Sequence, residues 1–418
     1  MSFILALAIL LPGINNVSAQ KKTEEGYQPV ILQFTIFHPL GTSGHNTKVL
    51  NYTSINLLYG KSAALQGFEV SGLAGRLTDY GIGFQVAGLG NGVENYFTGL
   101  QVAGFGNAVG SKLEGAQISG FGGVSGSTVY GAQISGFGSV AGSEVEGAQI
   151  SGFGSITGGS LEGLQIAGFG NITGDKMKGF QLAGFGNITG GNMKGLQLAG
   201  FGNISGGSGD GAQIAGFMNA NSSFSGFQLA PVNVNDSARG FQLGLVNISD
   251  KFEGVPIGLV SWVKNGYRKI DVWGNESFYM NAGFKSGVRN FYNILAFGYR
   301  PTAGHSRYGL GWGFGSEIDL GKSAFMSIEA LAMQVGENEL WTNKLNLLNQ
   351  LKFNFGAELT PGLGIYGGPS LNVMVSEYRR ADGRIGSGIK PSWTFYDETS
   401  GNTNVAIWAG FNVGLRIL

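Results

Sequence analysis

Few side chains in this sequence are equipped for chemistry. It has three histidines, His38, His45 and His305, and no cysteine. The histidines are scattered without metal-ligand spacing, and no thiolate is present to act as nucleophile or ligand. GFGNITG (184–190) and its copies give GxGxxxG, close to a dinucleotide fingerprint. A working fingerprint needs a single glycine loop between a strand and a helix. Here the glycines recur many times without a helical pattern and read as turn residues. Asn171-Ile172-Thr173 and its copies match a glycosylation sequon. In a repeating turn the asparagine reads instead as a corner residue, because Asn tolerates left-handed backbone. No nucleophile–base pair stands out, so no enzymatic activity, cofactor or metal is expected.

Two other groups of polar residues are distinguished by spacing. Glu317, Glu329, Lys352, Glu358 and Arg416 fall at the polar positions of C-terminal segments whose hydrophobicity alternates with period two. Inside a closed sheet they would form a proton or solute path, or a salt-bridged plug. In an eight-stranded lumen filled by side chains the plug is expected. Gln117, Ser119, Gln133, Ser135, Gln149 and Ser151 recur at fixed spacing in a glycine-rich array. They are expected to form a flat outward face able to bind a polysaccharide or a surface protein.

The elements that position the second group are repeats. Gln85, Gln101, Gln117, Gln133, Gln149, Gln165, Gln181, Gln197 and Gln213 are spaced by 16 residues, and the step shortens to 15 at Gln228 and 14 at Gln242. Glu69 stands in this column one step before Gln85, and Pro256 one step after Gln242. Short identical units imply stacking, with atypical end repeats as caps. Units this short suit one coil of a parallel β-solenoid rising about 4.8 Å per coil. Like residues then lie over like, Phe105 over Phe121 over Phe137, and stacked glutamine amides hydrogen-bond from rung to rung. Taking 179–194 as the unit, Phe180 and Leu182 share one strand face, and Gln181 and Ala183 the other. Gly184 is expected to turn the chain and bring Phe185 inward, with Ile188 and Met193 completing an apolar interior. The rival arrangement, in which each unit spans a membrane as one strand of a large barrel, lacks the alternation of short and long connections such barrels show.

GFQLAGFGNITG (179–190), GFQLGLVNISDKFEG (240–254), and SINLLYG (54–60) before GFEVSGLAG (67–75) resemble the surface-repeat family of spirochaete and Bacteroidetes outer-membrane proteins, over roughly residues 51–265. The resemblance implies an outer-membrane location with cell-surface exposure and carries no activity with it.

Composition agrees with a membrane context. Charged residues are 12% of the chain, the formal net charge is +0, and 76 of 418 residues are glycine. The charged share is about half the usual one, and the neutral balance gives nucleic acid nothing to bind. Residues 1–19, MSFILALAILLPGINNVSA, read as a signal peptide with small residues before Gln20. In NVAIWAGFNVGLRIL (404–418), Val405, Ile407, Phe411, Val413, Leu415 and Ile417 alternate with Asn404, Trp408, Asn412 and Arg416. That is the pattern of a transmembrane barrel strand. Similar alternation at 277–285, 288–299, 307–319, 323–334, 351–359 and 363–375, together with PVILQFTIFHPL (29–40), gives eight strands. The expected fold is all-β: a glycine-rich solenoid of 14–16-residue coils (51–270) inserted between strand one (29–40) and the remaining seven strands (275–418) of an eight-stranded antiparallel transmembrane barrel. Short joints then fall at one end and long ones at 300–306, 335–344 and 376–402, which places the solenoid outside the cell. The functional expectation is a surface protein anchored in outer-membrane lipid for structural or adhesive interaction. The alternative is an outer-membrane channel whose repeats enlarge the barrel.

Overall fold

The structure is a computed structural model that describes residues 26–302, 305–321 and 323–417. The expected signal segment, 1–19, lies outside the described residues. All named elements are β-strands, and the chain divides into two compact units at Ser222/Ser223.

The first unit is a parallel β-solenoid. One coil consists of a long strand, Met177–Ala183, a bend at Gly184-Phe185, a short strand, Gly186–Thr189, and a second bend leading to Met193–Ala199. Register is in phase with the sequence period: Met177 pairs with Met193, Gln181 with Gln197, and Asn187 with Asn203. The bends are tied from coil to coil as well, since Phe185 N donates to Phe169 O at 2.8 Å and Phe201 N to Phe185 O at 2.8 Å.

The faces are the reverse of those expected. Met177, Gln181, Ala183, Asn187 and Thr189 point inward, whereas Leu182, Phe185 and Ile188 are exposed. Of the apolar interior expected from sequence, only the methionine position (Met177, Met193) is buried. An amide can be buried here because its partner lies one rung away at strand spacing, so desolvation is offset by a hydrogen bond. Phe185 meets its like on the outside of the bend.

The glycines are required by close backbone approach. Gly179 has φ +131°, and a Cβ there would lie 2.0 Å from Gly163 O. At Gly184 the φ is not left-handed, yet a Cβ would lie 2.0 Å from Gly168 O. Gly184 is therefore a point of coil-to-coil contact rather than a corner needing special backbone.

The expected first barrel strand is also corrected. Gln28–Phe37 pairs in parallel with Val49–Ser62, setting Gln33 beside Ser54 and Thr35 beside Asn56. Both Gln33 and Thr35 are buried. The polar residues that interrupt PVILQFTIF match the inward column of a coil, so this segment caps the solenoid.

In the second unit the last coils, Val232–Leu243, Val246–Ile257 and Val260–Val263, remain parallel with a step of 14, as in Asn233 beside Asn247. An antiparallel sheet follows: Tyr267–Asn275, Met280–Val288, Phe291–Thr302, His305–Asp319, Ala324–Glu337, Asn346–Thr360, Leu363–Ser376 and Thr403–Ile417. Each strand pairs with its sequence neighbour, and Tyr267–Asn275 pairs with Thr403–Ile417 (Ile270 beside Ile417, Trp273 beside Gly414), which closes the sheet. A short strand, Tyr396–Ser400, pairs with the last of these. The solenoid thus precedes the antiparallel sheet and is not inserted into it. The strand missing from the sequence reading is Tyr267–Asn275, whose alternation is masked by Arg268 and Lys269.

Candidate functional site

The face assigned to ligand binding is not at the surface. Gln117, Gln133 and Gln149 are 0% exposed, Ser119 and Ser135 5%, and Ser151 4%. They line the solenoid interior, closed to any polysaccharide or protein. Their function is internal. Gln101 Nε2 donates to Gln85 Oε1 (2.8 Å), Gln117 to Gln101 (2.9 Å), Gln133 to Gln117 (3.0 Å) and Gln149 to Gln133 (2.8 Å). The column continues through Gln165, Gln181, Gln197 and Gln213 with every donor aimed toward the N-terminal end. The asparagine column runs the opposite way: Asn171 Nδ2 donates to Asn187 Oδ1 (2.9 Å), Asn187 to Asn203 (2.9 Å) and Asn203 to Asn219 (3.0 Å). Asn171 begins this run, and its own Oδ1 accepts nothing.

The glutamine column ends on a carboxylate. Gln85 Nε2 donates to Glu69 Oε1 at 2.9 Å, a bond that a carboxyl oxygen accepts in either protonation state. Burial pushes the Glu69 carboxyl up to about 7 from 4.5, against the opposing hydrogen bonds from Gln85 and Ser54. A carboxyl raised on folding contributes its stability fully below the unfolded value, and loses it as pH rises to the folded value. The first unit should therefore weaken between about pH 4.5 and 7, by about 3 kcal/mol, and level off above. Denaturant midpoints measured across this range test it, and Glu69→Gln should flatten the profile. An unchanged profile in that variant would remove Glu69 as the cause.

The inside of the closed sheet holds the second group. Glu317, Glu329, Lys352 and Arg416 are buried there as expected, joined by Asp271 and Lys285, which the sequence reading missed. Lys285 Nζ lies 2.5 Å from Asp271 Oδ2 and also contacts Glu329, and Lys352 Nζ lies 3.3 Å from Glu329 Oε2. Arg416 bridges Asp271 (3.2 Å) and Glu317 (2.7 Å). Tyr267 Oη donates to Glu317 Oε2 (2.7 Å), and Tyr292 Oη to Glu329 Oε1 (3.0 Å). Three acids face three bases, so the cluster is neutral. Glu358 is not part of it: it lies exposed near the joint after Thr360 and pairs with Lys269 at 3.7 Å. Its strand is still paired there, with Glu358 beside Gly364 and Glu358 N donating to Ser323 O at 2.8 Å, so Glu358 stands at the open rim where water reaches it, which alternation alone does not show.

At the end of the sheet opposite the joint after Val288, the connections after Glu337 and Ser376 are long, but those after Asn275 and Thr302 are short, and Thr302 pairs with His305 where a long joint was expected at 300–306. This end is covered by the segment after Ser376. Ile389 is fully buried, its carbonyl accepts from Arg300 Nη1 at 2.8 Å, and Glu337 Oε1 accepts from Ser387 Oγ (2.7 Å) and Gly388 N (2.8 Å). Glu276 closes the seam beside the last strand, accepting from Trp408 Nε1 (2.9 Å), Asn372 Nδ2 (3.1 Å) and Phe411 N (3.1 Å). Nothing in the spacing of Glu276 marks this role.

Outside the closed sheet the residues are apolar: Ile270, Val272, Leu310, Phe314, Ile328, Phe353, Phe355, Ile365, Phe411, Val413, Leu415 and Ile417 are exposed. The last solenoid coil meets this outer wall near the joint after Val288. Asn293 Nδ2 donates to Pro256 O (2.7 Å), Gly258 N to Asn293 Oδ1 (3.0 Å), Ser261 N to Ser286 Oγ (3.2 Å) and Trp312 Nε1 to Gly258 O (2.8 Å). The open ladder edge of the last coil is thus satisfied by side chains of the sheet.

Comparison of the chain with protein-family models, curated proteins and solved structures finds no match. The functional argument accordingly rests on the geometry.

Proposed function

We propose that this chain is an outer-membrane anchor protein, in which the closed antiparallel sheet is an eight-stranded transmembrane barrel carrying the solenoid as a structural module. The observation that carries this reading is the polarity of the sheet: an apolar exterior around a neutral, hydrogen-bonded charge cluster. A soluble domain buries its apolar face and exposes its charges, whereas a membrane barrel does the reverse. The strands run 9 to 15 residues, enough to cross a bilayer when tilted. The lumen is filled by Trp273, Tyr292, Met333, Tyr366, Met374 and Trp408, all nearly fully buried. That packing favours an anchor over a conducting pore.

The solenoid's side of the membrane follows from the joints. Tyr267 pairs with Gly287, so the chain enters the sheet at the end carrying the joint after Val288, and Ile417 beside Leu363 places the last strand's end there too. The joints after Val288 and Thr360 at this end are short, and the connection between Ser376 and Thr403 at the other is long. Short turns are periplasmic in such barrels. The solenoid is therefore assigned to the periplasmic side, in place of the external position that follows from counting 29–40 as a barrel strand.

Protease treatment of intact cells tests the orientation. Cleavage is expected within 377–402, with the repeat array protected. Cleavage in the array would overturn the assignment. Full-length protein in planar bilayers should give no steady conductance, and a steady current would replace the anchor with a channel.

A further inference from the structure

The outer face of the long strands in the first unit is built from columns, as its interior is. Glu146, Glu162, Lys178 and Lys194 hold the same position in successive coils, with Tyr130 before them and Asp210 after, and all six are exposed. Four residues further along each strand stand Ile134, Ile150, Ile166, Leu182, Leu198 and Ile214, which are exposed or half-buried. The stacked phenylalanines border this aliphatic column at the bend, their rings 4.8–5.0 Å apart.

The charged column changes sign half-way. Its acids, Glu146 and Glu162, stand on the N-terminal side of its bases, Lys178 and Lys194. Glu162 and Lys178 meet across the change at 2.5 Å. Glu146 and Lys194 are three coils apart, about 14 Å, and do not reach one another within the chain.

A second copy complements this face. Turn it about a two-fold axis that lies parallel to the strands and passes between the Glu162 and Lys178 rows. Its coils then run in the opposite order, while each column still faces its own kind. Glu146 stands opposite Lys194 of the second copy, Glu162 opposite Lys178, and Tyr130 opposite Asp210, each contact being made twice. The aliphatic columns meet likewise, Ile166 on Leu182 and Ile150 on Leu198. An axis through either central row would instead set Glu162 on Glu162 or Lys178 on Lys178. Rotation about the solenoid axis would set charges on phenylalanines. Self-complementarity of this kind is what an isologous contact requires. The six coils from Val129–Ser135 to 209–215 span about 29 Å, and the strand about 23 Å. Roughly 650 Å² of flat face is thus covered on each copy, and a specific interface takes about 600–1,000 Å² from each partner. The aliphatic columns supply the affinity, and the exposed charges select the register.

We propose that two copies of this chain pair antiparallel through the outer long-strand face of the solenoid, with the Glu146–Lys194 contacts setting the register. The pairing uses the first unit alone and is independent of the barrel reading.

Charge exchange in the full chain tests it, read by sedimentation equilibrium in nonionic detergent. Lys194→Glu sets acid against acid at two symmetric positions and should raise the dimer Kd at least tenfold. Adding Glu146→Lys should return it to within threefold of the original. Both side chains are exposed, so neither change disturbs the coil. The chain has no cysteine, so Glu146→Cys/Lys194→Cys can be treated with a short bismaleimide in phosphatidylethanolamine–phosphatidylglycerol vesicles. A covalent pair of chains is expected from the double variant and none from either single one. A single-chain mass in detergent together with no covalent pair in vesicles overturns the proposal, as does a dimer indifferent to Lys194→Glu. Absence of the covalent pair, with a dye on Leu182→Cys quenched by acyl-chain nitroxide lipid, would mean that lipid covers the face instead.

Discussion

Gly179→Ala is expected to destabilise the solenoid by about 3–5 kcal/mol, near the upper limit for a single substitution. Two costs combine at this position. The φ of +131° is unfavourable to any residue with a Cβ, and that Cβ would sit 2.0 Å from Gly163 O, a backbone atom held in the parallel ladder. Neither can relax without parting the coils. Gly184→Ala carries only the second cost, with Gly168 O at 2.0 Å and no left-handed φ, so a smaller loss is expected. A Cβ at Gly92 would meet no atom within 4 Å, the φ there is ordinary, and the same column holds Ala108 and Val124 in the next coils. Gly92→Val should be neutral or stabilising. Amide hydrogen exchange of the neighbouring coils in the three variants reads the order directly. Equal protection at 179 and 92 would show that the coils are not in van der Waals contact at the glycines.

Lys285→Met should cost the closed sheet about 3–5 kcal/mol, the usual penalty for removing one partner from a buried ion pair. Lys285 lies between Asp271 and Glu329, with no solvent to take its place. Its loss leaves three acids facing two bases. Glu329 keeps Lys352 at 3.3 Å and Asp271 keeps Arg416 at 3.2 Å, so the remaining pairs are strained rather than abolished. Adding Glu329→Gln restores neutrality and should recover part of the loss, a coupling visible in a double-mutant cycle. Urea unfolding in lipid vesicles, followed through tryptophan fluorescence, supplies the measurement. If Lys285→Met left the midpoint unchanged, water would have to reach the cluster, and the packed lumen would be disproved.

Much of this architecture is legible in the sequence, and the errors share one origin. The period yields coils, parallel stacking and the glutamine ladder, because register depends only on spacing. It also yields the companions on each strand face: Gln181 with Ala183, Phe180 with Leu182. It cannot say which face is inside. Choosing the apolar side as the core is the usual rule, and here it inverts the solenoid and sends Gln117, Ser119, Gln133, Ser135, Gln149 and Ser151 to the surface, because stacked amides satisfy one another inside. The closed sheet escapes that error because its alternation reads as polar inside. Gln28–Phe37 is misplaced for a related reason, since an apolar segment with polar interruptions fits a capping coil as well as a membrane strand, and only its parallel partner decides. Asp271 and Lys285 are missed because their strands, Tyr267–Asn275 and Met280–Val288, are short and alternate poorly.

The glutamine and asparagine columns donate in opposite directions, and each rung hands on the same unmet donor or acceptor that it received. Excising one whole repeat, or duplicating one, therefore brings together two surfaces that already fit. Stack height is free to drift through slippage or recombination of near-identical gene segments, and relatives differing by whole multiples of sixteen residues should fold equally well.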